Sequence, residues 1–383
     1  MNFYNNNIKR FFLLAPFLEP IMFYSFNFID YIYLGWKFVS ILLIFICLLF
    51  SKSIFKLSAP TYLFIFYRII LVISSILNGT DVIYAVTNSV ITIFFLISFE
   101  LSAKVNKMET IKFLRNLLLV YLFINLLSYP IINSLTSSRD SVIYFLGIRT
   151  RFTDVCVPAM LLAIYYDIKT FGKLSKCSIV SIILSAFNIF IAWVGTGIIG
   201  MAIIILGIFL SNSNGFKKFI CSYKALFLSL FFNFGVVFLR IQNYFSYIIV
   251  NILHKSLTLS SRTYVWDLSI DKIMNKPVLG YGINESGVFV NLWGYDLQTL
   301  NQFLQVLAEG GFIALIIFLL ILFVPYRKQK KNKIYSKELY YIFLFLFAFS
   351  IMMLSERYAN YIYFYIPILL AFIEIKSIQK RNV

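Results

Sequence analysis

Long apolar runs separated by short polar connections dominate the chain. A helix crossing the hydrocarbon core of a bilayer needs about 20 predominantly apolar residues. Windows near that length fall at 11–28, 33–50, 61–77, 82–99, 111–132, 152–168, 177–194, 197–210, 219–240, 300–324, 338–354 and 358–375. The pattern predicts an all-α polytopic membrane protein with about 12 transmembrane helices, or eleven or thirteen if one window is re-entrant. All of 1–383 then forms a single integral membrane domain. The window from Gly197 to Leu210 is short and reads as the second half of a tight helical hairpin turning at Gly195-Thr196-Gly197. Lys9 and Arg10 precede the first window, but no small-residue cleavage site follows, so that window is expected to be a retained helix. One interruption is long. Within 241–298, the apolar spacing of Tyr264, Trp266, Leu268, Ile270 and Ile273 predicts a helix from Arg262 to Met274. Ser260 or Ser261 is its expected N-cap, and Lys276-Pro277 its end.

Composition strengthens this reading. The chain is 61% hydrophobic and 13% charged, with a mean hydropathy of +0.85, whereas soluble domains are about 45–50% apolar and about 25% charged. The net charge of +18 would suit a nucleic-acid binder if the basic residues were clustered on a soluble surface. Instead, alternating the connections between two sides puts 23 of the 34 basic residues on one side, including the Arg327-to-Lys337 cluster. By the positive-inside rule that side is cytoplasmic, with both termini inside and 241–298 as one long extracytoplasmic loop. The partner implied is the lipid bilayer and not nucleic acid. Cys47, Cys156, Cys177 and Cys221 give no disulfide framework or metal spacing, and the lone His254 cannot build a histidine-ligated metal cluster. Neither a metal nor a cofactor is expected.

The basic residues that break the rule are the candidate chemistry. Arg139, Arg149 and Arg151 stand against only Asp140 in the loop of about 133–151. Arg149 and Arg151, one residue apart, would face similar directions in an extended loop and could receive an anion. Arg240, Lys255, Arg262, Lys272 and Lys276 lie in or beside the long loop, nearly neutralised by Asp267, Asp271, Glu285 and Asp296. Arg68 lies in the middle of an apolar window, where a charge is costly and faces the bundle interior or a cavity. Glu309 enters the membrane beside Gly310-Gly311, while Asp154 and the Glu356-Arg357 pair lie at the level of the outer loops.

An ordered set of motifs occupies the last third. The Arg262-Thr263-Tyr264-Val265-Trp266 helix start is followed by Pro277-Val278-Leu279-Gly280-Tyr281-Gly282, whose glycines permit close backbone approach to a ligand. Then come Asn301-Gln302 and Ala308-Glu309-Gly310-Gly311-Phe312. This set resembles the O-antigen polymerase and ligase superfamily, bacterial membrane enzymes acting on lipid-linked glycans. The likeness is best from Arg262 to about Phe323 and looser at Arg149 to Pro158 and at Gly195-Thr196-Gly197. It implies a helical fold of the C-type glycosyltransferase class, in the bacterial cytoplasmic membrane. The implied substrate is an undecaprenyl-pyrophosphate-linked glycan held by outer-loop arginines, of which Arg262 matches best. Many members, ligases above all, have a His-Asn pair where this chain has Leu300-Asn301, which favours a polymerase.

The expected activity is therefore polymerisation of lipid-linked repeat units into O antigen or capsular polysaccharide, with a chain-length regulator as a further partner class. A ligase and a flippase-type transporter are the alternatives. Against the transporter, the long loop of the second half has no counterpart in the first. The catalytic candidates are Arg262, Glu309 and Asn301. Arg149, Arg151, Arg68, Trp266, Gly280 and Gly282 are the candidates for substrate binding. Arginine's planar fork suits phosphate oxygens. With no metal-binding carboxylate cluster evident, arginines would take the place of a divalent ion at the leaving group.

Overall fold

The computed structural model describes residues 7–50, 57–135, 142–247, 250–251, 256–259, 261–284, 287–332 and 335–379. Arg139, Asp140, His254, Lys255, Ser260 and Glu285 lie outside the described residues, as do Lys52, Lys56 and the chain end beyond 379. The helices are α1 (Asn7–Leu14), α2 (Asn27–Phe50), α3 (Ala59–Asn78), α4 (Val82–Leu135), α5 (Phe152–Phe171), α6 (Lys176–Ala192) and α7 (Gly195–Phe209). They continue with α8 (Asn214–Ile220), α9 (Tyr223–Val237), α10 (Arg262–Asn275), α11 (Gln302–Asn332), α12 (Lys337–Met352) and α13 (Tyr365–Gln379). Between α10 and α11, β1 (Val290–Leu292) and β2 (Tyr295–Leu297) form an antiparallel hairpin. Its two-residue turn, Trp293-Gly294, has positive φ at both positions (52° and 82°), the geometry that matches the twist of paired strands.

The architecture is that of an all-α membrane protein, but several predicted windows fold differently from continuous spans. Among the described residues, six helices are long and apolar enough to cross a membrane, or seven if the bent pair α8–α9 is one span. The first window becomes the 8-residue α1 followed by 3-10 turns at Ala15–Leu18 and Ile21–Ser25. At 1.5 Å per residue, an 8-residue helix covers only about 12 Å. The windows 82–99 and 111–132 are two arms of α4, which leaves helical geometry at Asn106 (φ −149°, ψ 94°). The Ser102 and Thr110 hydroxyls lie 2.8 Å apart, whereas eight residues of straight helix would separate them by about 12 Å. The chain therefore bends sharply there, and Asn106 Oδ1 caps the second arm by accepting from Glu109 N at 3.2 Å. The α6–α7 hairpin is present, but it turns at Trp193-Val194; Gly195, Thr196 and Gly197 form the first turn of α7.

Helix α5 is the centre of the bundle, with both Asp154 near its start and Asp167 near its end buried. It packs against α4, α6 and α12. At its far end, buried Glu374 of α13 accepts from Lys107, from Tyr165 and from Lys169, the last at 2.6 Å, and Lys169 also meets Glu338 at 3.1 Å. This network ties α4, α5, α12 and α13 together at the lysine-rich end. A buried carboxylate persists in such surroundings because its partners are charged or strong donors.

The segment after α10 is fixed by a break in α11. Gly311 has φ 64° and ψ −164°, a region that only glycine occupies without strain. The backbone groups freed by the break are taken up by residues 277–282. Phe312 N donates to Pro277 O at 2.8 Å and Ile313 N to Val278 O at 3.4 Å. In return, Tyr281 N donates to Ala308 O at 2.8 Å and Gly282 N to Glu309 O at 2.9 Å. Helix α3 closes the other side: Asn78 Nδ2 donates to Gly280 O at 3.1 Å and Ile283 N donates to Ser75 Oγ at 2.9 Å.

A Cβ built on Gly311 would lie 2.2 Å from Val278 O, inside any tolerable contact, whereas one on Gly35 of α2 meets nothing within 4 Å. Gly311→Ala is expected to destabilise the protein by more than about 2 kcal/mol, from backbone strain plus the clash. Gly35→Ala should be neutral or slightly stabilising. Thermal unfolding of the two variants in the same detergent checks this. Equal midpoints would mean that the 277–282 segment is not anchored by the helix break.

Candidate functional site

At the end of the bundle opposite the Glu374 network, three elements place charged groups around the loop between α12 and α13. The N-terminus of α11 holds that loop. Gln302 Oε1 accepts from Tyr358 N at 2.5 Å and Ala359 N at 2.7 Å, and Gln302 N donates to Met353 O at 3.0 Å. Asn301 Nδ2 donates to Leu354 O at 3.0 Å, while its Oδ1 caps α11 by accepting from Phe303 N and Leu304 N at 2.9 and 3.0 Å. Arg68 fastens the loop from α3: Nη2 donates to Ala359 O at 3.2 Å, Nη1 to Asn88 Oδ1 at 2.9 Å, and the guanidinium lies 5.2 Å from the Phe64 ring. Asn301 and Arg68 thus bear on the site through the backbone they position.

The loop presents Glu356 and Arg357, both buried. Arg262, the first residue of α10, brings Nη2 to 3.8 Å from Glu356 Oε1. Arg151 stacks 4.2 Å over the Tyr361 ring, donates to Arg357 O at 3.0 Å and lies 3.6 Å from Asp154 Oδ2. Glu356 is charge-coupled to Arg151, Arg262 and Arg357 and shares a hydrogen bond with Thr196 of α7. Burial pushes the Glu356 carboxyl above its ordinary value, and the three arginines pull it back. Burial likewise lowers the Arg357 guanidinium. Donor capacity is left over. Among the described residues Arg357 forms no ion pair, and the buried Arg262 Nε has no partner. Three guanidinium groups acting on one carboxylate, with Arg262 Nε unpartnered, form a site that can accept a further anion.

Glu309 borders this cluster from α11. Its Oε1 accepts from Gln305 Nε2 at 2.7 Å and Asn360 Nδ2 at 2.9 Å, and Arg357 and Arg68 are its cationic neighbours. The other candidates fall elsewhere. Trp266 is fully buried on α10 and donates to Leu300 O at 3.4 Å, so it packs the helix against the start of α11. The Gly280-Tyr281-Gly282 turn makes the close approach its glycines allow, but to protein: a Cβ on Gly280 would lie 2.6 Å from Ala308 O, and one on Gly282 2.3 Å from Thr80 Oγ1. Arg149 and Arg151 lie in a 3-10 turn instead of an extended loop, so they point apart, with Arg151 buried and Arg149 half-buried. The structure makes Arg151 and Arg262 charged neighbours of one carboxylate, Glu356. Helix α10 begins at Ser261 in the left-handed region (φ 67°) without a side-chain cap.

Sequence reasoning underweighted Arg357 and overlooked Gln302. The adjacent charges Glu356-Arg357 in a short connection were the available signal for the first. Gln302 could be found only from its bidentate hold on a loop more than fifty residues away. Below the cluster, α9, α10 and α11 enclose an apolar groove of about 340 Å³, lined by Phe234, Ile270, Met274, Phe303, Leu307 and Leu315 among others. Among the described residues, no group of three His, Cys, Asp or Glu side chains is placed to hold a metal ion.

Residues 180–319 match a protein-family model described as O-antigen ligase. The match takes in Thr196, Arg262 and Glu309, and it leaves Arg68, Arg151, Glu356 and Arg357 outside its bounds. No curated protein and no solved structure matches the chain.

Proposed function

We propose, for a chain that residues 180–319 make a member of the O-antigen polymerase and ligase superfamily, that it polymerises glycan repeat units carried on undecaprenyl pyrophosphate. The observation that carries this reading is the contact of Arg262 with Glu356 in the buried region that Arg151 and Arg357 share, with Arg262 Nε left without a partner. A lipid pyrophosphate brings two to three negative charges, roughly, and its departure from a sugar builds charge on the bridging oxygen. Fixed guanidinium donors in a partly dry site stabilise that developing charge without reorganising. In the free enzyme Glu356 offsets the arginines. Substrate phosphate would compete with it, and release of Glu356 toward Thr196 would leave the fork of each arginine to the pyrophosphate.

The apolar groove fits the other end of such a donor. Its walls are almost wholly apolar, and they include Asn301, which bonds to Leu354 O at the start of the loop bearing Glu356 and Arg357. A polyprenyl chain laid there would put its headgroup at the arginines. The C-type glycosyltransferase likeness, the site in the bacterial inner membrane and the outward-facing location of 241–298 belong to the same proposal. Leu300 before Asn301 favours the polymerase. The description of the matched family as O-antigen ligase favours transfer of finished glycan as the second reading.

In a deletion strain the polymerase reading expects single repeat units and no longer chains, whereas loss of a ligase would leave long chains on the carrier. Restored with Arg262→Ala or Arg357→Ala, the strain should make polymer at a rate reduced on the order of 10²-fold or more. Arg357→Lys should not rescue it, because lysine lacks the bidentate fork. Glycan ladders read beside membrane-protein abundance check this; full-length ladders from well-expressed Arg262→Ala and Arg357→Ala variants would contradict it. For orientation, single cysteines at Asn291 and Ser336 in a background without native Cys should label differently in intact cells. Asn291→Cys should react with an impermeant maleimide and Ser336→Cys should not; the reverse would place the arginine site on the cytoplasmic side.

A further inference from the structure

A second cavity, of about 140 Å³ with mixed polar and apolar walls, includes Glu309, a charged neighbour of Arg357. Thr80, Lys272, Gly282, Asn284, Gln305 and Glu309 contribute to its walls. Glu309 is its distinctive member. The residue is 4% exposed, and its two carboxylate oxygens are treated differently. Oε1 accepts two amide hydrogen bonds, from Gln305 and Asn360. Gln305 is itself oriented, because its own Oε1 accepts from Thr299 Oγ1 at 2.8 Å. Oε2 is buried with no partner. A buried carboxylate oxygen costs free energy unless something donates to it. Here Glu309 lines a cavity of mixed character, so a donor belonging to a bound molecule would complete its bonding.

The geometry places this cavity next to the proposed leaving-group site. Arg357 is a charged neighbour of Glu309, and its Nη1 approaches to 2.7 Å of where a Cβ on Gly287 would stand, beside cavity-lining Val288. A molecule in the cavity would therefore contact Glu309, whose charged neighbour Arg357 belongs to the arginine cluster. The lining offers a carboxylate oxygen, amides, a hydroxyl and the Lys272 ammonium, with Tyr281 and Phe289 as apolar walls. That mixture suits a polyhydroxylated ring, which needs several hydrogen-bond partners and one apolar face. It does not suit a second pyrophosphate, which would meet the Glu309 carboxylate.

We propose that this cavity is the acceptor-sugar subsite and that Glu309 Oε2 takes the proton of the attacking hydroxyl. The inference rests on the polymerase or ligase reading above. The acceptor oxygen forms a bond to the anomeric carbon of the donor sugar. The bond from that carbon to the pyrophosphate oxygen breaks, and its electron pair leaves with the pyrophosphate, stabilised by the arginines. The hydroxyl proton passes to Oε2. The hydrogen bonds from Gln305 and Asn360 occupy Oε1 and leave Oε2 as the oxygen with bonding capacity, so Gln305 and Asn360 are positioning residues.

Glu309→Gln tests this with little disturbance, since the amide oxygen can still accept from Gln305 and Asn360. Two readouts are needed: the glycan ladder of a complemented deletion strain, and thermal stabilisation of the purified full chain by sugar-free undecaprenyl pyrophosphate. The expected result is polymer formation reduced on the order of 10²-fold or more, with stabilisation by undecaprenyl pyrophosphate unchanged. Normal ladders would overturn the proposal. Loss of the stabilisation together with activity would also overturn it, because Glu309 would then serve the anion site. If Glu309→Gln fails to accumulate, Val288→Phe, which fills the cavity from its other wall, carries the test. It should abolish polymer while keeping the stabilisation, and normal polymer from it would overturn the subsite. Failure of the underlying reading looks different: Arg262→Ala and Arg357→Ala would then leave both readouts intact.

Discussion

Backbone hydrogen bonding inside an apolar bundle is the constraint on which the site depends. A helix broken at membrane depth exposes amides and carbonyls that lipid cannot satisfy, at a cost of several kcal/mol per group, roughly. Here the break at Gly311 is tolerated because residues 277–282 return from the long segment and pair with both sides of it. That repair has a structural consequence. It clamps the end of α10 against α11 and α3, sets Glu309 at the edge of the break, and so fixes the distance between α10's first residue, Arg262, and the rest of the site. The glycines at 280, 282 and 311 serve this backbone-to-backbone contact.

The second organising feature is electrostatic. Buried Arg68, Arg151 and Arg357, with partly exposed Arg262, share one region with buried Asp154, Glu309 and Glu356, a near balance with one positive charge in excess. Burying charges so densely is costly unless each has a partner. Most do: Arg68 is spent on Asn88 and a loop carbonyl, and Arg151 on Asp154, Tyr361 and a backbone oxygen. Among the described residues of this region, buried atoms left without a hydrogen-bond partner include Arg262 Nε and Arg68 Nε on one side and Glu309 Oε2 and the Asp154 carboxylate on the other. An anion and a hydroxyl donor are the two ligands that would complete the bonding of Arg262 and Glu309, which are also the two ends of a glycosyl transfer.

The sequence made part of this legible. Helix α10 and its end before Pro277 follow from apolar spacing and proline chemistry, and the glycine pairs announced close backbone approach. What approaches them was unreadable, because the partner lies some thirty residues further on. The reversal of α4 was hidden for a related reason: Asn106 caps the second arm without any glycine or proline to mark it. The first window was counted as a span from composition, although its residues pack as short turns against α2 and α4. Arg262 is marked in the sequence by its motif and Glu309 by its charge at a membrane boundary, which demands a partner. Asn301 was singled out with them, and its cap and its bond to Leu354 O show how a polar residue can matter by shaping the loop that carries others.

The most direct test of the account is a structure of the full chain in a lipid nanodisc with undecaprenyl pyrophosphate bound. The account predicts phosphate oxygens within hydrogen-bond distance of the Arg262 and Arg357 guanidinium groups, Glu356 displaced from Arg262, and the polyprenyl chain between α9, α10 and α11. A pyrophosphate bound away from all three arginines of the cluster, with the Arg262–Glu356 contact intact, would contradict it.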